Sequence, residues 1–423
     1  MKTAPAAAPA AAAPAGVEPP PAAAPRWWIW LAAWPVAAVF VLSNAATPLY
    51  TLWQHDIGFS RGTLTIVFAS YIAGLIGSLL VAGVASDRVG RKPVLLPALA
   101  LAAVACLVFA TAFSVAALVV ARLLSGIAVG AVVSAGMAAV TDVAGAARRR
   151  TAALVASSAM VLGAGLGPLL AGVLSENLPA PTATVFLVEI ALLAAAFAVV
   201  LRMPVPRMVA RPVARAAAAP ARGAWIRLPR MPHGTGGRLL LGAAAFAPGI
   251  TGTSFVLSLG PSLLSGLLGT TSRTLAGAMA FVMFLASTGV QFAVRRLRVR
   301  TILLAATAST AVSMIGLVGA VRSSSVALLV AAAVMAGAGQ GMGQLGGLSL
   351  LNSAVPAGRL AEANAALNVS GYLPAGLLPV SAGYLSDAVG LTTGATTFGV
   401  VLAALAAAGG LVVLTGRRWA PEA

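Results

Sequence analysis

The sequence predicts an all-α membrane protein with twelve transmembrane helices arranged as two pseudo-symmetric six-helix bundles. Apolar residues make up 60% of the 423 positions, and charged residues make up only 9%. A soluble domain of this composition has too little polar surface to stay dissolved. The sparse charges also divide the chain into apolar windows, each long enough to cross about 30 Å of hydrocarbon as a helix.

The apolar windows fall into two groups of six. A segment rich in Pro and Arg at 204–237 separates the groups, and we predict that it is a cytoplasmic linker. The N-terminal bundle is therefore predicted at 27–203 and the C-terminal bundle at 238–416. In chain order the predicted spans are 27–55, 62–86, 93–121, 123–141, 151–175, 177–201, 239–272, 274–294, 301–321, 323–358, 363–386 and 388–416.

A tail is predicted at each end of the chain. Residues 1–26 consist almost entirely of Ala and Pro. Because Pro at this density prevents a helical core and favours an extended, solvated chain, we predict a disordered cytoplasmic tail. The segment has neither the unbroken apolar stretch nor the cleavage site of a signal peptide. Residues 417–423 are predicted to be a second, short cytoplasmic tail.

The formal net charge of +18 raises the question of a nucleic-acid ligand. With the N-terminus placed inside, 23 of the 27 Lys and Arg residues fall on the cytoplasmic side; Arg61, Arg273 and Arg322 fall outside, and Arg122 lies within a span. This positive-inside asymmetry predicts a multi-pass protein of the cell membrane with both termini in the cytoplasm. The basic residues therefore indicate topology and contact with the lipid bilayer rather than nucleic-acid binding.

The composition also argues against an enzyme. The sequence has no phosphate-binding loop and no nucleophile–base arrangement, and two His residues with one Cys do not indicate a metal site. Cys106 has no second Cys with which to form a disulfide and is expected to be an inert apolar residue. We therefore expect neither catalysis nor a bound cofactor nor a metal ion.

The two halves share a segment at an offset of 211 residues. Residues 165–177 have the sequence GLGPLLAGVLSEN, and residues 376–388 have the sequence GLLPVSAGYLSDA, with seven identities among thirteen positions. Glu176 aligns with Asp387 as a conservative match. The same offset aligns Gly126, Gly130 and Gly136 with Gly337, Gly341 and Gly347. A duplication of this kind is typical of secondary transporters.

A charged loop at 83–93 follows the second span. Asp87 lies one helical turn before Arg91 and can pair with it. Asp142, at the end of the fourth span, opposes its own helix dipole and requires a cationic partner. Together these side chains would hold helix ends in one state and release them in another. The predicted latch residues are Gly83, Asp87, Arg88, Gly90, Arg91, Lys92 and Asp142.

The predicted latch also depends on two glycines, and it has no full counterpart in the second half of the chain. Glycine at 83 and 90 is expected to allow close helix approach and a sharp turn. The equivalent segment of the second half, 295–300, has neither the acid nor the glycine, so only the first half is predicted to carry a full latch. The alternative is an ordinary basic turn at the membrane surface.

The fifth span contains glycines four residues apart beside a proline. This spacing places a flat stripe on one helix face, where a neighbouring helix can pack at backbone contact, and the proline bends the helix. The residues of this predicted feature are Gly163, Gly167, Pro168 and Gly172. Helix packing without a further role is the alternative.

These motifs together resemble the major facilitator superfamily. The loop with the sequence DRVGRK at 87–92 is similar to the loop between its second and third helices, where the family stabilises the outward-facing state. The fifth span is similar to the antiporter motif of the drug–proton branch, with Ala171 replacing a Gly. Arg122 with Gly126 is similar to a fourth-helix motif linked to proton coupling. The resemblance covers nearly all of residues 27–416.

Two charged residues inside the spans are candidates for proton coupling. Arg122 and Glu189 are each predicted about 10 Å from the outer surface, so they could pair and lower the cost of both charges. Alternatively, Arg122 extends to the outer surface and Glu189 is a structural residue, because the sixth helix is peripheral in the family's architecture.

The remaining polar residues within the spans are uncharged. The first span has no acid at mid-membrane, which weakens attraction for cationic solutes and leaves a neutral or moderately apolar solute, or an anion attracted to Arg122. Each polar residue could instead form a helix-to-helix hydrogen bond. The candidates for a substrate cavity are Asn44, Tyr50, Gln54, Ser254, Gln291, Gln340, Gln344, Asn368 and Tyr372.

The resemblance implies a monomeric secondary transporter in which two bundles rock about a central site. Proton influx would drive efflux of a small organic molecule, a drug or a metabolite, without a cofactor other than the proton gradient. One alternative is an importer or facilitator of the same fold. The other is a transport-inactive sensor or scaffold that docks partners through the linker at 204–237.

Overall fold

A computed structural model of the protein describes residues 25–204, 235–267, 269–356 and 359–416. Most of the predicted N-terminal tail, nearly all of the predicted linker and the whole of the tail at 417–423 lie outside the described residues. The described part of the chain is built from α-helices and two short 3-10 turns, and it contains no strand.

Seven α-helices make up the first bundle. The first span is interrupted, because a 3-10 turn at Thr47–Leu49 that contains Pro48 separates α1 from α2. This break corrects the continuous helix predicted over 27–55. The helices are α1 (Trp27–Ala45), α2 (Tyr50–Ile57), α3 (Arg61–Val89), α4 (Lys92–Ala110), α5 (Val115–Ala144), α6 (Arg149–Asn177) and α7 (Pro181–Arg202).

Six α-helices make up the second bundle. Among the described helical segments, eleven are long and apolar enough to cross a membrane when α1 and α2 are taken as one. The twelfth, α12, has the necessary length of 30 residues but is more polar. The helices are α8 (Gly236–Gly266), α9 (Arg273–Val294), α10 (Val299–Ser323), α11 (Val326–Ala354), α12 (Leu360–Val389) and α13 (Leu391–Thr415).

Helix boundaries follow capping rather than charge. The predicted spans 93–121 and 123–141 meet at Arg122, but the structure places the turn at 111–114 and Arg122 inside α5. The Ser114 hydroxyl accepts a hydrogen bond from the Ala117 amide and starts α5. A serine cap satisfies an amide that the helix leaves unpaired, and this requirement fixes the helix end. The prediction from charge was therefore wrong at this boundary.

Glycines aligned by the internal repeat make equivalent contacts in the two bundles. A Cβ on Gly126 of α5 would collide with the Tyr71 carbonyl of α3, and a Cβ on Gly337 of α11 would collide with the Met283 carbonyl of α9. The sequence offset is 211 residues for the glycines and 212 for their partners. Backbone-to-backbone packing at these sites requires glycine. The pseudo-symmetry that the repeat predicted is confirmed.

Two helix pairs form most of the contact between the bundles. α3 packs against α12, and α6 packs against α9. We call the end of the helices that carries residues 88–92, 148–150 and 295–300 the basic end. We call the opposite end, with the turns at 58–60, 178–180 and 270–272, the far end.

Candidate functional site

The predicted latch cluster is formed at the basic end. The Arg91 guanidinium donates to Asp87 Oδ1 at 2.9 Å through Nη1 and to Asp142 Oδ2 at 3.0 Å through Nε. It also donates to Ser86 Oγ at 2.8 Å, a partner that the sequence reasoning missed. Arg91 therefore ties the end of α3 to the end of α5.

The surroundings of Arg91 favour its charged form. Only 14% of the Arg91 side chain is exposed, against 56% for Asp87. Burial lowers the pKa of Arg91, but the hydrogen bonds and charges of Asp142 and Asp87 raise it by more, so the net shift is upward. The guanidinium therefore stays charged. Substitution of Asp87 or Asp142 would remove one of the two carboxylates that hold it.

The other latch residues differ in what they contribute. Gly90 ends α3 with a φ of +100°, a backbone conformation that favours glycine. Lys92 Nζ donates to the Leu201 carbonyl at 2.8 Å, near the C-terminal end of α7, where a cation is favourable. A Cβ on Gly83 would meet no atom within 4 Å, so the close approach predicted there is not made in this structure. Arg88 is exposed in the last turn of α3.

The glycine stripe of the fifth span packs at backbone distance on two neighbours. On one side, Gly163 and Gly167 of α6 face the Ala37 and Val41 carbonyls of α1. On the other side, Gly172 faces the Arg273 carbonyl at the start of α9. The Pro168 carbonyl in turn faces a glycine of α9, Gly277. α6 is therefore wedged between its own bundle and the opposite one.

This packing predicts a sharp contrast between two glycines. Gly167→Ala should lower the stability of the protein by about 1–3 kcal/mol, because the added methyl group collides with the Val41 carbonyl. Gly83→Ala, which adds the same methyl group to open space within α3, should not lower stability, because alanine favours a helix more than glycine does. Reaction of the buried Cys106 with a thiol-reactive dye during heating measures unfolding in both variants. Equal melting temperatures would contradict the packing role of Gly167.

Arg122 is fully buried inside the first bundle. Its Nε donates to the Tyr50 hydroxyl at 2.5 Å, and its Nη1 donates to the Ser43 carbonyl at 2.7 Å. Its Nη2 has no hydrogen-bond partner among the described residues. The guanidinium carbon lies 5.2–5.9 Å from the ring centroids of Tyr50, Phe68, Tyr71 and Phe109, within the range of cation–π attraction.

Arg122 and Glu189 do not pair, and Arg122 does not extend to the surface. Glu189, on α7, is only 3% exposed, and its Oε2 has no partner among the described residues. Similar depth does not bring the two side chains onto facing helix surfaces, because α4 packs against both α5 and α7 and stands between them. Both the predicted pair and the predicted surface position were therefore wrong.

The nine predicted cavity residues do not form one lining. Asn44 donates to Ser43 Oγ at 3.0 Å within the first bundle, and the Tyr50 hydroxyl accepts a hydrogen bond from Arg122. Ser254 is buried in α8, and Gln291 donates to the Ser287 carbonyl of its own helix. The six candidates that are only partly buried are Gln54, Gln291, Gln340, Gln344, Asn368 and Tyr372.

One of these candidates, Gln54, lines a cavity. The cavity lies at the far end, has a volume of about 360 Å³ and is also bordered by Arg61 and Asp387. Gln54 Oε1 accepts a hydrogen bond from Ser262 Oγ of α8 at 3.2 Å, which joins the two bundles. Sequence reasoning missed Ser262 because one Ser among many in an apolar span carries no distinguishing signal.

The chain is similar to the members of one known protein family. A family model of the Major Facilitator Superfamily matches residues 29–379. The multidrug resistance protein MdtL of Klebsiella pneumoniae subsp. pneumoniae is 37% identical over 76 residues, which are 18% of this chain and 19% of that protein. The match therefore spans about a fifth of the curated relative.

Solved structures match over nearly the whole fold. The nucleoside transporter NupG aligns with a TM-score of 0.67 and 13% identity over 93% of this chain and 99% of that one. A D-xylose–proton symporter aligns with a TM-score of 0.68 and 18% identity over 94% and 97%. These likenesses support the fold of twelve spans in two bundles. Since the family model covers most of its length, the chain belongs to the Major Facilitator Superfamily of transporters, which are not enzymes.

Proposed function

We propose that the protein exports a small organic molecule in exchange for protons, by alternating access between two bundles. In this proposal the basic end faces the cytoplasm, as the distribution of Lys and Arg favours. The observation that carries the direction of transport is the glycine–proline helix α6, which contacts α9 of the opposite bundle at backbone distance. This motif resembles that of drug–proton antiporters, and the partial likeness to MdtL supports the same direction.

The solute is proposed to be neutral, moderately apolar or anionic. Arg122 is a buried cation without a carboxylate partner among the described residues, and the first span has no acid at mid-membrane. Both features are unfavourable for a cationic solute. A compound panel in a host that lacks its own exporters, scored by growth protection, would identify the solute.

Proton coupling is then tested with inside-out membrane vesicles. Acidification of the vesicle interior should drive uptake of the identified solute, and an uncoupler should abolish it. Uptake that ignores the pH gradient would contradict antiport and favour a facilitator. Uptake that requires an acidic exterior would favour a proton-driven importer.

Glu189 is the proposed proton carrier. A guanidinium does not release its proton in proteins, so a carboxyl is the better candidate, and Glu189 is a buried carboxyl without a cationic partner among the described residues. Glu189→Gln should therefore abolish uptake driven by the pH gradient but retain exchange of labelled for unlabelled solute across the membrane. Glu362→Gln, at the basic end of α12, is the control. Gradient-driven uptake at the parent rate in Glu189→Gln would show that Glu189 is structural.

A further inference from the structure

Two acids at the far end reach from one bundle to the other. Glu176 lies in the last turn of α6, and Asp387 lies in the last turn of α12. They occupy aligned positions of the internal repeat, 211 residues apart. Each carboxylate accepts hydrogen bonds from the N-terminal amides of a helix in the opposite bundle.

Glu176 closes the contact between α6 and α9. Its Oε1 accepts from the Arg273 amide at 2.5 Å and from the Thr274 amide at 3.1 Å, and its Oε2 accepts from the Thr274 hydroxyl. The Arg273 side chain returns across the same interface and donates to Ser175 Oγ at 3.0 Å and to the Ser175 carbonyl at 2.6 Å. The start of α9 is thus bound to the end of α6 in both directions.

Asp387 closes the contact between α12 and α3 in the same way. Its Oδ1 accepts from the Arg61 amide at 3.0 Å, and its Oδ2 accepts from the Gly62 amide at 2.8 Å. A Cβ on Gly62 would collide with the Tyr384 ring, so the helices touch closely beside the carboxylate. A third link, from Ser262 to Gln54, lies at the same end.

These carboxylates are favourable only while the bundles are closed at the far end. Each acid sits at the C-terminal end of its own helix, where the helix dipole disfavours a negative charge. Across the interface it meets the N-terminal end of another helix, whose first amides have no partner within that helix and whose dipole favours an anion. Charge-assisted hydrogen bonds of this kind are stronger than neutral ones. If the bundles separated at the far end, each carboxylate would lose the favourable N-terminal end of the opposite helix. It would keep only the unfavourable C-terminal end of its own helix.

We infer that Glu176 and Asp387 form a paired far-end gate, which holds the bundles together on that side and must release at both places for that side to open. The inference rests on the alternating access of the proposed function. It also explains why the repeat is best preserved at 165–177 and 376–388: these segments carry the gate. The far-end gate is duplicated, whereas the latch at the basic end is present in the first half only.

The gate is tested by cysteine accessibility in the full-length protein. Ser262→Cys in a Cys106→Ala background places a thiol at the far-end interface, where Ser262 is 5% exposed. The protein is reconstituted in nanodiscs and reacted with a membrane-impermeant maleimide. We expect Glu176→Gln and Asp387→Asn each to raise the labelling rate several-fold, and the double substitution to raise it about tenfold or more. Asp56→Asn is the matched control, because Asp56 is an exposed far-end acid whose side chain pairs with the adjacent His55.

The outcomes separate the gate from the proposed function. Labelling in the double variant at the parent rate would overturn the gate, and so would an equal rise in Asp56→Asn, which would indicate a general effect of surface charge. If a carboxylate variant does not fold, Thr274→Val removes the hydroxyl donor alone and should still raise labelling by a smaller factor. The assay needs no solute, so increased labelling in a protein without proton-coupled transport would support the gate and contradict only the exporter proposal.

Discussion

Asp87→Asn should reduce transport at least tenfold while the protein still inserts and folds. The Arg91 guanidinium is held by two carboxylates and one hydroxyl. Removal of one charge weakens the tie between α3 and α5, because the hydrogen bond to Asp87 is charge-assisted and its neutral replacement is weaker. Asp87 is more than half exposed, so the substitution leaves no buried unpaired group. Flux of the identified solute, normalised to the amount of folded protein, measures the effect.

The control for Asp87→Asn is another acid that pairs with an Arg at the basic end. Glu362 Oε2 accepts from Arg359 Nε at 3.3 Å, three residues away in sequence, and this pair does not tie two spans together. Glu362→Gln should therefore transport normally. Asp142→Asn should repeat the defect of Asp87→Asn, because Asp142 is the second carboxylate on Arg91. Normal flux in both Asp variants would show that the loop at 83–93 is an ordinary basic turn at the membrane surface.

Arg122→Ala should lower the stability of the protein by about 3–5 kcal/mol and abolish transport. The substitution leaves the Ser43 carbonyl and the Tyr50 hydroxyl buried without their donor, and each such group costs about 1–3 kcal/mol. It also leaves a cavity among the four aromatic rings that surround the guanidinium. Heating followed by reaction of Cys106 with a thiol-reactive dye gives the midpoint of unfolding.

Two further variants make the Arg122 result decisive. Arg322→Ala removes an exposed Arg at the far end and should not change the midpoint. Arg122→Lys keeps the charge but loses the planar fork that reaches Tyr50 and Ser43 together, so it should recover only part of the stability. A higher midpoint in Arg122→Ala than in the parent would mean that the buried charge is a net cost, which occurs for some buried ions.

The two ends of the transporter differ in how they are held. At the basic end, Arg91 links α3 with α5 inside one bundle. At the far end, the carboxylates of Glu176 and Asp387 cross from one bundle to the other. In the proposed cycle the far end opens only when both carboxylates are released. Loss of the latch should therefore lower the flux of solute. Loss of the gate should raise the accessibility of the far end.

Local sequence patterns determined the class of the protein and the chemistry of the latch. Apolar windows of membrane length predict spans because the bilayer requires them. Asp87 and Arg91 pair because they are four residues apart on the helical path, a spacing fixed by backbone geometry. Glycines spaced by four on α6 predict backbone packing for the same reason. Each of these features depends on residues that are near one another in the chain.

The tertiary structure decided which faces of the helices meet. Arg122 and Glu189 are at similar predicted depths, but α4 stands between α5 and α7, so Arg122 binds Tyr50 and Ser43 instead. The depth of a side chain in the membrane follows from its distance along one helix. The pairing of two side chains depends instead on the rotation of each helix about its axis and on the order of helices in the bundle. The repeat aligned Glu176 with Asp387, yet their partners lie 97 and 326 positions away along the chain. Only the packing of one bundle against the other brings those amides to the carboxylates.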